Sequence, residues 1–108
     1  MKYKILFENS AEQDFLNSLT YIVNELHNPI AAKNLHNEVS KTLNNIAEFP
    51  NCAPLTKYLK LQPYGIRQIT VDNYTIFYCP NQERKEILVL YFKYAKMDFS
   101  KLKIQLPL

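Results

Sequence analysis

The sequence predicts a small α+β domain with the element order βααβββ. Two stretches between residues 10 and 49 repeat apolar side chains at helical spacing. Three runs between residues 66 and 94 are rich in β-branched and aromatic residues and are joined by short polar turns. One apolar stretch with no breaker, residues 3–7, precedes them all. The chain has 108 residues, 47% of them hydrophobic, which suits one domain built around one modest core.

Each element has a local reason. Residues 3–7, YKILF, read as a short strand. Ser10 followed by Gln13 fits a capping box, with Glu12 and Asp14 in the first turn, where the helix dipole favours anions. Phe15, Leu19, Ile22, Val23 and Leu26 then mark one helical face. That helix is expected to stop at His27-Asn28, because a residue before proline resists the α conformation. Asn28-Pro29 opens a second helix, with an Asn cap and a proline whose missing N–H costs nothing in the first turn. Ala32, Leu35, Val39, Leu43 and Ile46 form its stripe, and Phe49-Pro50 ends it. So short a connection folds the helices back as an antiparallel hairpin.

Residues 50–65 hold Pro50, Pro54, Pro63 and Gly65, the single glycine, and read as a loop. Loops of this length without regular structure are often functional. Ile66–Val71 and Tyr74–Cys79 read as strands around a tight Asp72-Asn73 turn, since both turn residues tolerate positive φ. Pro80–Lys85 is a polar turn. Ile87–Tyr94 is the longest strand, and its nearly unbroken apolar run implies cover on both faces. The tail from Ser100, ending KLKIQLPL, reads as an edge element or a mobile end.

Composition narrows the function classes. No apolar run approaches the roughly 18 residues of a membrane span. The N-terminal apolar run breaks at Glu8, far short of the roughly 7–15 residues of a signal-peptide core, so a cytoplasmic protein with no membrane partner is expected. Cys52 and Cys79 have neither CxxC spacing nor a nearby histidine pair, so they read as free thiols behaving as small hydrophobes, and no metal or cofactor is expected. Net charge is +3, and it is unevenly placed. From Lys57 onward bases outnumber acids nine to four, whereas before it acids outnumber bases six to four. A polyanion would therefore meet the sheet side.

Four features resemble the RelE/ParE superfamily of bacterial type II toxin–antitoxin toxins: a helical hairpin after a first strand; Tyr64-Gly65-Ile66-Arg67 entering a strand; the NYTIFY segment Asn73–Tyr78, close to the family's -YRIFY-; and Ile87–Asp98, close to its I-x-I-L-x-x-x-H-x-R-R-D. The resemblance spans nearly the whole chain. It implies a single domain, 1–108, with the hairpin packed on one face of a small, curved, mainly antiparallel sheet. It also implies a toxin neutralised by a cognate antitoxin, with which it forms a hetero-oligomer. The superfamily divides by target. One branch cuts mRNA in the ribosome without a metal, and the other poisons DNA gyrase with no known nuclease chemistry.

Metal-free RNA cleavage needs a base for the 2′-hydroxyl, cations for the phosphorane charge and an acid for the leaving oxygen. By resemblance, Arg67, Tyr94 and Lys96 are the candidate catalytic residues, and Lys57, Lys60 and Asp98 the candidate substrate-binding ones. The set departs from the nuclease pattern. Thr75 stands where nuclease members often carry an arginine, Tyr94 replaces a histidine, and Lys96-Met97 replaces the arginine pair. Tyrosine, with an ordinary pKa of about 10, is a poor base at neutral pH unless cations lower it. These departures lean toward a gyrase-directed or inactive, antitoxin-binding member. Each residue also has an ordinary reading: Arg67, Lys96, Lys57 and Lys60 as solvated surface charge, Asp98 as a cap or ion-pair partner, and most of the eight tyrosines as packing. Convergence of Arg67, Tyr94 and Lys96 on one concave face would favour the nuclease.

Overall fold

The computed structural model describes residues 2–96; Asp98 and the expected edge element or mobile end from Ser100 lie outside the described residues. The described elements are β1 (Lys4–Phe7), α1 (Asn9–Asn24), α2 (Pro29–Glu48), a 3-10 turn (Gln62–Tyr64), β2 (Arg67–Val71), β3 (Tyr74–Asn81) and β4 (Glu86–Tyr94). This is the predicted βααβββ order. The four strands form one mixed sheet in the order β1-β4-β3-β2. β1 lies parallel to β4, and the other two pairings are antiparallel.

The helix boundaries differ from expectation in instructive ways. α1 is capped by Glu8, not by a Ser10–Gln13 box. The Glu8 carboxylate accepts from the Ser10 N–H at 2.9 Å and from the Ser10 hydroxyl. Those hydrogen bonds, the hydroxyl's first, hold its pKa below the ordinary carboxylate value. α1 also ends at Asn24, earlier than expected, because the chain reverses through His27 in the left-handed region (φ 51°). Leu26, beyond the helix end, is exposed, and Val23, still within α1, is exposed as well rather than part of the buried stripe. α2 follows its prediction: the Asn28 side chain accepts from the Ala31 N–H at 3.0 Å, Pro29 opens the helix, and all five stripe residues are buried.

The sheet separates two cores. On one face α1 and α2 pack Ala11, Ile22, Leu35, Val39 and Ile46 against Ile76, Tyr78, Ile87, Val89 and Phe92. On the other, the 50–65 segment and Ile66, just before β2, cover the sheet, with Leu61, Ile66 and the partly buried Tyr58 against Phe77, Leu90 and Tyr91. The cover expected on both faces of β4 is thus present. β4 serves both cores through a break in the β3–β4 register: Phe77 faces Tyr91 and Tyr78 faces Val89, which leaves Leu90 as the extra residue. In the Asp72-Asn73 turn only Asp72 takes positive φ (54°). Gly65 ends the 3-10 turn at φ 71°, a left-handed position that suits glycine and directs the chain into β2. Both cysteines are free, but Cys52 is exposed rather than acting as a small core hydrophobe; Cys79 is half-buried against the second core.

Two substitutions test this packing. Asn28→Ala removes the α2 cap and should cost about 1 kcal/mol, whereas Phe77→Ala empties the second core and should cost about 3–5 kcal/mol. Urea unfolding of both variants measures the difference. Equal, small losses would show that the 50–65 segment does not seal that face.

Candidate functional site

The candidate residues fall at two ends of the β2–β3–β4 ladder. Arg67 begins β2 directly opposite Tyr78, so both side chains lie on the helix-bearing face. The Arg67 guanidinium donates to the Ala53 carbonyl at 2.6 Å, and the Tyr78 hydroxyl donates to the Pro50 carbonyl at 2.9 Å. This corner therefore clamps the start of the 50–65 segment to the sheet. Burial, with the Cys52 thiol beside it, pushes the Tyr78 phenol up to about 12.

Tyr94 lies at the other end. It pairs with Tyr74, four residues along β3 from Tyr78. At the usual rise per residue this sets Arg67 and Tyr94 about 13 Å apart along the strands, and two strand spacings apart across them. The Tyr94 ring packs edge-on against Tyr74 (5.9 Å between centroids), and Tyr74 stacks on Phe92 (4.9 Å). Lys96 follows in the exposed turn after β4. The structure thus brings Tyr94 and Lys96 into one neighbourhood and holds Arg67 in another. Lys57 and Lys60 are both exposed on the 50–65 segment, and the Lys57 ammonium lies over the Tyr58 ring at 5.6 Å. Thr75 is buried at 2% exposure, opposite Lys93.

The Tyr94 end also holds residues that the sequence reading passed over. A groove of ≈ 360 Å³ separates α1 from the end of β4, lined among others by Asp14, Tyr21, Tyr74 and Tyr94. Lys93 and Asp14 pair across it at 2.7 Å. A second hollow of ≈ 520 Å³ continues past Tyr21, Tyr74 and Tyr94 to Leu26, Ala31 and Asp72. The available signal was a second face of α1 beside the apolar stripe, made by Asp14, Asn17, Ser18 and Tyr21 at spacings of three and four. Among the described residues no group of His, Cys, Asp and Glu is placed to hold a metal ion, and no helix is long and apolar enough to cross a membrane.

The Tyr78 phenol makes a pH prediction. Its folded pKa lies above the unfolded value of about 10, so its contribution to stability is intact below pH 10 and is lost as the pH rises toward 12, by roughly 2 kcal/mol. Tyr78→Phe should cost about 1 kcal/mol at neutral pH and flatten this alkaline loss. Urea midpoints between pH 8 and 12 measure both; a parallel alkaline loss in the variant would assign it to other groups.

Comparison with known proteins bears on this geometry. The chain is similar in structure to the chromosomal ParDE toxin–antitoxin system of P. aeruginosa, with a TM-score of 0.68 and 13% identity over 88% of this chain and 98% of that one. It is also similar to the RelBE2 toxin–antitoxin complex of Mycobacterium tuberculosis, with a TM-score of 0.57 and 16% identity over 87% and 99%. At these identities the likeness shows the shared fold. A search of curated protein sequences finds no significant match. The family model of the ParE toxin of the type II toxin–antitoxin system parDE matches residues 5–99, so the chain belongs to the ParE toxin family of type II toxin–antitoxin modules.

Proposed function

We propose that this toxin arrests growth by binding DNA gyrase rather than by cutting mRNA. The observation that carries the reading is the separation of Arg67 from Tyr94 and Lys96. A general base, a cation and a general acid must reach one phosphodiester together, each within about 3 Å of the atom it serves. Arg67 is spent on the Ala53 carbonyl, at the opposite end of the ladder from Tyr94. Thr75, at the position where nuclease relatives often carry arginine, is uncharged and buried. The sheet face away from the helices is filled by Tyr58, Leu61, Phe77 and Leu90, which suits packing rather than acid–base chemistry. Lys57 and Lys60 on the 50–65 segment and Lys96 after β4 are exposed bases open to a macromolecular partner.

The partner that restrains it is a cognate antitoxin bound as a hetero-oligomer. Support comes from the family and from the neighbours, both of which are toxin–antitoxin systems.

Expression without an antitoxin should arrest bacterial growth and raise gyrase-linked DNA breaks. Primer extension on translated mRNA should give no new ends. New ends within codons, lost in Tyr94→Phe and Lys96→Ala variants, would instead assign the nuclease mechanism. Harmless expression by a folded protein that still binds its antitoxin would mark an inactive relative.

A further inference from the structure

We infer that the groove between α1 and the end of β4 is a guanidinium site, in which three tyrosines and an unpaired carboxylate take an arginine side chain from a partner protein. Rings, charge and shape each point to that ligand.

Tyr21 from α1, Tyr74 from β3 and Tyr94 from β4 line both the ≈ 360 Å³ groove and the ≈ 520 Å³ hollow that continues it. Tyr74 is held by its stacking on Phe92, and Tyr94 packs edge-on against Tyr74. Tyr21 and Tyr94 remain 54% and 48% exposed. The face of an aromatic ring attracts a cation, and several rings around one space make a cage for it. Elsewhere this chain fills such faces itself. The Lys57 ammonium lies over Tyr58 at 5.6 Å, and that of Lys85 over Tyr3 at 5.4 Å. Among the described residues no cation lies over Tyr21, Tyr74 or Tyr94.

The charge around the rings has the matching sign. Among the described lining residues Lys93 is the one cation, and Asp14 neutralises it at 2.7 Å. Asp72 borders the ≈ 520 Å³ hollow, exposed and without an ion pair among the described residues. It shares a neighbouring hollow with Glu38, a second exposed acid that has no ion pair among those residues. The space therefore carries net negative charge and holds no cation of its own to balance it.

Shape selects arginine over lysine. A guanidinium is flat, sheds water more readily than an ammonium, and can stack on a ring while its N–H fork reaches a carboxylate. Ring faces and the Asp72 carboxylate border the same hollow, so one planar cation can use both. The site does not depend on which cellular target the toxin has.

NMR titration of the ¹⁵N-labelled full chain with N-acetyl-arginine amide tests the site. The amides of Tyr21, Asp72, Tyr74 and Tyr94 should shift saturably. The uncharged citrulline analogue should give no saturable shift, and N-acetyl-lysine amide should bind at least about threefold more weakly. Asp72→Asn, which keeps a residue tolerant of the positive φ there, should weaken arginine binding about tenfold. Tyr21→Leu should weaken it severalfold, whereas Glu12→Gln, an exposed acid outside the groove, should leave it unchanged. No saturable shift, equal binding of the citrulline or lysine analogue, or full affinity in Asp72→Asn would each overturn the assignment. None of these readouts involves toxicity, so the site stands or falls apart from the gyrase reading.

Discussion

The structure depends on β4 being buried on both faces. Like β3 it has partners on both edges and supplies both cores, and it alone joins the parallel strand β1 to the antiparallel ones: Ile87, Val89 and Phe92 go to the helices, and Leu90 with Tyr91 to the 50–65 segment. Strict alternation cannot do this, because Leu90 and Phe92 would then share a face. The register break at Leu90 lets two successive residues, Leu90 and Tyr91, serve one core before Phe92 returns to the other. Tyr78, opposite Val89, stays fully buried as a result, and its hydroxyl can reach the Pro50 carbonyl.

That constraint decides what the 50–65 segment is for. Its composition, proline-rich and holding two lysines, reads equally well as a binding loop or as a cover. The apolar side chains of Tyr58 and Leu61 find their surface on Phe77 and Leu90, so the segment is a cover first. Its polar groups are arranged to hold it there. The Thr56 hydroxyl donates to the Gln68 side-chain oxygen at 2.7 Å, the Gln62 side-chain N–H donates to the Thr56 carbonyl at 2.9 Å, and Arg67 ties down Ala53. An arginine holding a neutral carbonyl makes a charge-assisted hydrogen bond that stabilises packing, and its guanidinium is oriented by that bond.

Much of this was legible in the sequence because it is local or periodic. The Asn28-Pro29 cap, the α2 stripe and the order of the strands follow from spacing alone. What was not legible depends on three dimensions. The Glu8 cap could not be told from a Ser10 cap, since both are chemically competent and the choice rests on where β1 delivers the chain: the Glu8 N–H donates to the Val89 carbonyl at 2.9 Å. Val23 and Leu26 looked like core because they continue the α1 stripe, but Val23 is exposed within the helix and the left-handed turn at His27 leaves Leu26 beyond its end. The parallel pairing of β1 with β4 joins segments about eighty residues apart, and no local pattern encodes it. The site suffered most. Arg67 and Tyr94 lie in the same basic, aromatic third of the chain, yet the hairpin geometry sets them four rungs apart.

The two ends of that ladder therefore differ in kind. At the Arg67 end the polar groups are turned inward, onto carbonyls of the cover, and hold the fold. At the Tyr94 end the tyrosines of α1, β3 and β4 form an open amphipathic surface, and one ion pair, Lys93 with Asp14, fixes the width between helix and sheet. The two side chains of that pair are only about a third exposed or less, so the pair is screened less than a surface bridge and orders the groove it spans. Tyrosine presents a rigid apolar ring with one polar end, which favours contact area over reactivity. A surface built from three such rings beside a fixed ion pair has the physical character of an interface, and it lies where the chain leaves the sheet.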